Sequence, residues 1–177
     1  MVTQTEWSAI AAIAATLAAI IAAIAILISI WRQIAESRRY RLSQSIELLL
    51  KLEDRFDSAS FRNLRKIAAR SAIEGNFAGL EPILDYFETV GLLLERGVLD
   101  EEMIWSTFSN WILNYAQIGT QYIAEVQAED STLWTYMMRL RDRMDEVQER
   151  ITHQKYPSLT PDERENFLRE EAYLIAN

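Results

Sequence analysis

Three carboxylates at helical spacing, Glu81, Asp85 and Glu88, are the arrangement in this 177-residue chain best suited to chemistry. Four and three residues apart, they share one face of a helix. Buried together in a cleft, such carboxylates can act as acid and base on a glycosidic bond or bind a hard cation. The positions beside them are of the kind that faces solvent, so an exposed acidic ridge is the expected form. The lone histidine, His153, has Arg150 three residues before it. That excludes a paired Glu-x-x-His di-iron site and a His-x-x-x-His zinc site, and leaves His153 a surface or helix-end role. No Gly-x-Ser-x-Gly turn and no glycine-rich phosphate loop occurs. The absence of cysteine removes thiolate nucleophiles, disulfides and cysteine-ligated metals. No catalytic residue, metal ion or cofactor is therefore expected.

The elements that must position these residues read as helices throughout, with nothing patterned as a strand. Leu42, Ile46, Leu49, Leu50, Leu52 and Phe56 mark one face of a helix that no Pro or Gly interrupts after Trp31. Asp57, Ser58 or Ser60 can cap a second helix to Ile73, stopped at Gly75; its Arg62, Arg65, Lys66 and Arg70 are expected to face water or lipid headgroups. Pro82 suits the first turn of a third helix that Gly97 ends. Asp100 caps a fourth, whose stripe runs Ile104, Phe108, Trp111, Ile112, Tyr115, Gly119, Tyr122, Ile123 and Val126. A fifth opens at Asp130 or Ser131 and breaks before Pro157. Thr160-Pro161-Asp162-Glu163 combines a capping box with proline at the first helical position, announcing a short further helix.

From Ser8 to Ile30 the chain runs 23 residues without a charge, between Trp7 and Trp31. As a helix this rises roughly 35 Å, enough to cross the ~30 Å hydrocarbon core of a bilayer. Trp7 and Trp31 fall at the two interfaces, where amphipathic rings prefer to lie. Basic residues ahead of a signal peptide's apolar stretch are missing; Glu6 is the only charge before the run. Arg32, Arg38, Arg39 and Arg41 follow it, which by the positive-inside rule places the preceding residues outside and the rest in the cytoplasm, at a cell inner membrane. Ala11, Ala15, Ala19 and Ala23 repeat every four residues, a spacing that lets membrane helices approach closely. The expected organisation is a tail and transmembrane helix over 1–31, a helical bundle over 32–156 and a further helix over 157–177.

The charge balance is -8, and residues 71–130 hold eleven acids against Arg96 alone. Phosphate binding needs clustered positive charge, so nucleic acid is excluded as a partner. The aromatic residues concentrate in the fourth and fifth helices. Most belong in a core, where large rings fill gaps and bring one polar tip to the surface. Trp105, Trp111, Tyr115, Tyr122 and Trp134 are also the candidates for a partner surface, since such rings are enriched at interfaces.

The run Leu80-Glu81-Pro82-Ile83-Leu84-Asp85-Tyr86-Phe87-Glu88-Thr89-Val90-Gly91-Leu92-Leu93, followed by Arg96-Gly97-Val98-Leu99-Asp100, then Trp105, Phe108, Trp111, Tyr115, Tyr122-Ile123 and Asp130-Ser131-Thr132-Leu133-Trp134, resembles a bacterial family catalogued as domain of unknown function 4760. The resemblance spans roughly residues 32–145 and implies bacterial origin and a membrane-anchored helical module. It brings no activity and no catalytic residues.

The expectation is thus an all-α protein: one transmembrane helix, then a cytoplasmic bundle of about five helices. It acts without catalysis, as an accessory subunit or scaffold, touching membrane lipid and another membrane protein or a second copy of itself. Two alternatives follow from other residues. An enzyme or ligand-binding sensor would use a pocket between the third and fourth helices, with Asp85 or Glu88 buried in it. An anionic-lipid-binding module would act through Arg38, Arg39, Arg41, Arg62 and Lys66.

Overall fold

In the computed structural model the described residues are Ser29, 31–33 and 42–173. The chain divides into two compact units, Met1–Ser43 and Gln44–Asn177. Most of the charge-free run, and with it Trp7, Ala11, Ala15, Ala19, Ala23, Arg38, Arg39 and Arg41, lies outside the described residues. Among the described residues no helix is long and apolar enough to cross a membrane. Trp31 and Arg32 are helical and exposed.

Every described element from residue 42 onward is helical. Residues 42–56 form α1, followed by α2 (Ala59–Ile73), a 3-10 turn (Phe77–Leu80), α3 (Glu81–Glu95), α4 (Glu101–Glu129), α5 (Thr135–Thr152) and α6 (Pro161–Ala172). The starts are local chemistry. The Ser58 hydroxyl accepts from the Phe61 N–H at 3.2 Å, and the Asp100 carboxylate accepts from Glu102 and Met103 at 3.0 and 3.1 Å. Thr160 and Glu163 form the reciprocal capping box. Two stops are equally local. Gly75 and Gly97 take left-handed φ of 82° and 65°. After each, the chain closes the preceding helix with paired bonds: Gly75 and Asn76 N–H to Ala72 and Ser71, Gly97 and Val98 N–H to Leu94 and Leu93. That is the Schellman pattern, which a residue with a Cβ adopts only with strain.

The start of α5 departs from the expectation. It begins at Thr135, not at Asp130 or Ser131. The Asp130 carboxylate does accept from Thr132, at 2.9 Å from its N–H and 2.6 Å from its hydroxyl, but this closes only a turn. Trp134 then swings to φ 51° and buries its indole, leaving α5 without a cap from its own segment. The missing acceptor comes from α3. Glu88 takes the Met137 N–H at 2.6 Å and Asp85 takes the Trp134 indole N–H at 2.8 Å. The acidic ridge is therefore the seat of the neighbouring helix's positive end. Glu88→Ala is expected to cost about 1–2 kcal/mol, the range of a lost cap; an unchanged denaturant midpoint would refute that role.

The core lies where α3 packs along α5, α4 along α5, and α6 along α2. The aromatic rings of Phe56, Phe61, Tyr86, Phe87 and Phe108 meet at 4.9–6.2 Å between centroids, tilted or edge-on to one another, and the edge-on pairs are the kind that ring quadrupoles favour. The Tyr86 hydroxyl donates to the Leu52 carbonyl at 2.8 Å, tying α3 to α1. Residues 157–173 belong to the same unit as the bundle: Phe167, Leu168 and Ala172 of α6 are buried in its core.

Candidate functional site

Arg65 sits on the inner face of α2, beside Phe61, Ala68, Ala69 and Ala72. The sequence expectation that it faces water or headgroups is wrong: only 2% of it is exposed. A buried guanidinium is tolerable only when its donors are met. Nε and Nη2 donate to the two carboxylate oxygens of Glu171 on α6, at 2.7 and 2.6 Å, the bidentate geometry that suits a planar guanidinium. Asp57 stands 3.8 Å away at the rim, and the cation lies 4.1 Å from the Phe56 ring centroid and 5.4 Å from that of Trp111. Such stacking adds attraction when desolvated.

Glu171 is only 4% exposed and accepts more than the arginine. The Tyr115 hydroxyl donates to it at 2.7 Å and the Trp111 indole at 3.1 Å, both from α4. Its two oxygens thus meet four donors from α2 and α4. Burial works to lower the Arg65 pKa, but the hydrogen bonds and charge of Glu171 outweigh it and the group stays raised. Burial, then the charge and hydrogen bond of Glu171, hold the Tyr115 hydroxyl well above its ordinary 10. Phe167, edge-on to Tyr115 at 5.2 Å, and Leu168 close the site from the α6 side. Burying two such side chains contributes about 3–6 kcal/mol.

These shifts have a measurable sign. Burial also raises Tyr86, and burial with Glu81 pushes Tyr122 up to about 12. The folded state keeps these phenols protonated where the unfolded chain releases them, so their contribution to stability is level below pH ~10 and is lost above it. An ultraviolet phenolate titration of the seven tyrosines should find Tyr115 ionising only as the chain unfolds. All seven ionising together in a folded chain would contradict it.

The five aromatic residues singled out as a partner surface are engaged within the chain. Tyr115 and Trp134 are buried, out of reach of a partner in this fold, and Trp105, Trp111 and Tyr122 are half-buried. Each sends its polar tip to another helix: Trp105 to Gln148 at 3.0 Å, Tyr122 to Glu81, and the other three as described. Asp85 is exposed and Glu88 half-buried against α5; both are engaged there. The sensor reading placed a pocket between α3 and α4. One groove, of about 460 Å³, lies between α3 and α5, lined by Gly91, Arg139, Arg143 and Glu146. Another of similar volume lies between α4, α5 and the segment leading to α6. Among the described residues no group of three acidic or histidine side chains is placed to hold a metal ion.

The Arg65–Glu171 cluster is closed to solvent, so its chemistry is recognition of one helix by two others. Sequence reasoning missed it because the two charges stand 106 residues apart; the only local hint was an arginine in register with buried alanines. One protein-family model, described as a domain of unknown function (DUF4760), matches residues 12–144. The match takes in Arg65, Trp111 and Tyr115 and ends ahead of α6. No curated protein and no solved structure matches.

Proposed function

Because the chain belongs to the DUF4760 family, whose description assigns no activity, we propose from its own residues that it is a non-enzymatic, single-pass membrane protein of bacterial origin. In this reading the helical unit works in the cytoplasm as an accessory subunit or scaffold that binds other proteins. The observation that carries the reading is the 23-residue uncharged run between Trp7 and Trp31, with Arg32, Arg38, Arg39 and Arg41 on one side only. Trp31, 74% exposed, has the exposure that a ring at a membrane interface needs. Ile46 and Leu50, four residues apart on α1, are likewise exposed. Ala11, Ala15, Ala19 and Ala23 give the membrane helix a face for close packing on a second membrane helix.

The chain has no cysteine, so single labels report without background. Thr3→Cys should label from outside intact cells and Lys155→Cys only after the membrane is opened; outside labelling of both would overturn the topology. Native mass measurement of the full chain extracted in mild detergent should find a dimer or a hetero-complex. A bare monomer throughout would sink the scaffold reading.

A further inference from the structure

We propose that the face formed by α2 and α4 is a receptor for a carboxylate-bearing amphipathic helix of a partner protein, and that α6 fills it in cis as a competitor. The proposal rests on the protein-binding reading above and names the partner's chemistry. Three observations lead to it. Arg65 is buried with a single full-strength counter-charge, Glu171, and with that helix gone its fork, the Trp111 indole and the Tyr115 hydroxyl would all point at one carboxylate-sized space. The receptor residues lie within residues 12–144, the part of the chain that the family model matches, whereas α6, together with the end of α5, lies outside it. Finally, α6 itself shows what fits: apolar residues at Phe167 and Leu168, then Glu171 four and three positions later on the same face.

The cis occupant is also separable from the rest. Of the other helices, α6 packs mainly on α2, with a slighter contact to α4. The segment before it stays pinned to α4 and α5 by other groups: the Tyr156 hydroxyl donates to Asn114 at 3.0 Å, its N–H to Asp145 at 3.1 Å, and the Leu159 N–H to Gln117 at 2.8 Å. To swing away from Thr160 onward while the segment before it keeps its place, α6 has to release the Arg164 bond to the Gln117 carbonyl (3.3 Å) and uncover Phe167 and Leu168. A helix of the Φ-Φ-x-x-Glu kind on a partner would bind by displacing it, its affinity reduced by the fraction of time α6 is seated. The receptor is selective because a partner lacking the carboxylate leaves the buried cation unmatched.

Two measurements on the full chain test this. Hydrogen exchange should show the α6 amides opening well before those of α3 and α4; exchange of α6 only together with the whole unit would overturn the proposal. Second, a specific protease site inserted after Leu159 lets α6 be cut in the folded chain, and a fluorescent peptide of residues 158–177 is then added. It should bind the cut chain tightly and the uncut one, where α6 must first be displaced, more weakly, and the Glu171→Gln peptide should bind the cut chain at least tenfold more weakly than the parent peptide. Equal binding of the two peptides, no exchange at large peptide excess, or unfolding of the cut chain would each refute the receptor. A scaffold that still purifies with its partner after that failure would show the function to use another surface.

Discussion

Arg65→Ala should remove about 3–5 kcal/mol from the stability of the helical unit, the range for stranding one member of a buried ion pair. Against a total of about 5–15 kcal/mol for a domain, that is a fifth or more of the margin. The reason is what remains: Glu171, 4% exposed, keeps the Tyr115 and Trp111 donors and loses its cation. Glu171→Ala should cost a similar amount, because the guanidinium is then buried with only Asp57 at 3.8 Å. The double variant Arg65→Met with Glu171→Leu discriminates the cause. Apolar replacements of whole buried pairs are often neutral or better. Here the recovery should be partial, since the Tyr115 hydroxyl and Trp111 indole lose their acceptor at about 1–3 kcal/mol each. Denaturant unfolding followed by circular dichroism reads all three; a single variant within about 1 kcal/mol of the parent would show that the pair is not the fastening it looks to be.

Gly91→Ala is the second large effect. A Cβ built on Gly91 would stand 2.3 Å from the Tyr136 carbonyl oxygen and 2.7 Å from its carbon, backbone atoms that cannot rotate aside. The extensive α3–α5 pairing would have to part, shifting the seat of Glu88 and Asp85 under the first turn of α5 as it does so. Overpacking costs about 1–3 kcal/mol and occasionally more, and a rigid backbone obstacle puts this case at the upper end. Gly97→Ala is the control. It has open space around the new methyl group and pays only for φ 65°, about 1–2 kcal/mol. Should Gly91→Ala melt no lower than Gly97→Ala, the close approach of α3 and α5 is not what holds that glycine in place.

The helix boundaries were legible wherever the signal is local. Ser58, Pro82, Gly97, Asp100 and Thr160 act on backbone groups within a few residues of themselves, so their meaning survives without the fold. The α4 stripe was legible too, because Ile104, Phe108, Ile112, Tyr115, Gly119 and Ile123 keep a helical period and all proved buried. Arg65 was not. Charge and exposure usually travel together, and only a partner 106 positions away reverses that. Trp134 was hidden for a related reason: its left-handed backbone is stabilised by burial of the indole and by Asp85, neither of which Asp130 or Ser131 announces. The acidic ridge was seen as a ridge but not as an anchor, since its acceptors serve the N–H groups of another helix. What is local was written in short words; what holds the helices to one another was spelled across the chain.

That spelling has a temporal side. During synthesis Arg65 emerges 106 residues before Glu171, on the order of 5–20 s at ~5–20 residues per second. Through that interval the Arg65 cation has only Asp57, 3.8 Å away at the rim, as a counter-charge, so the nascent bundle stays open on one side until Glu171 is translated.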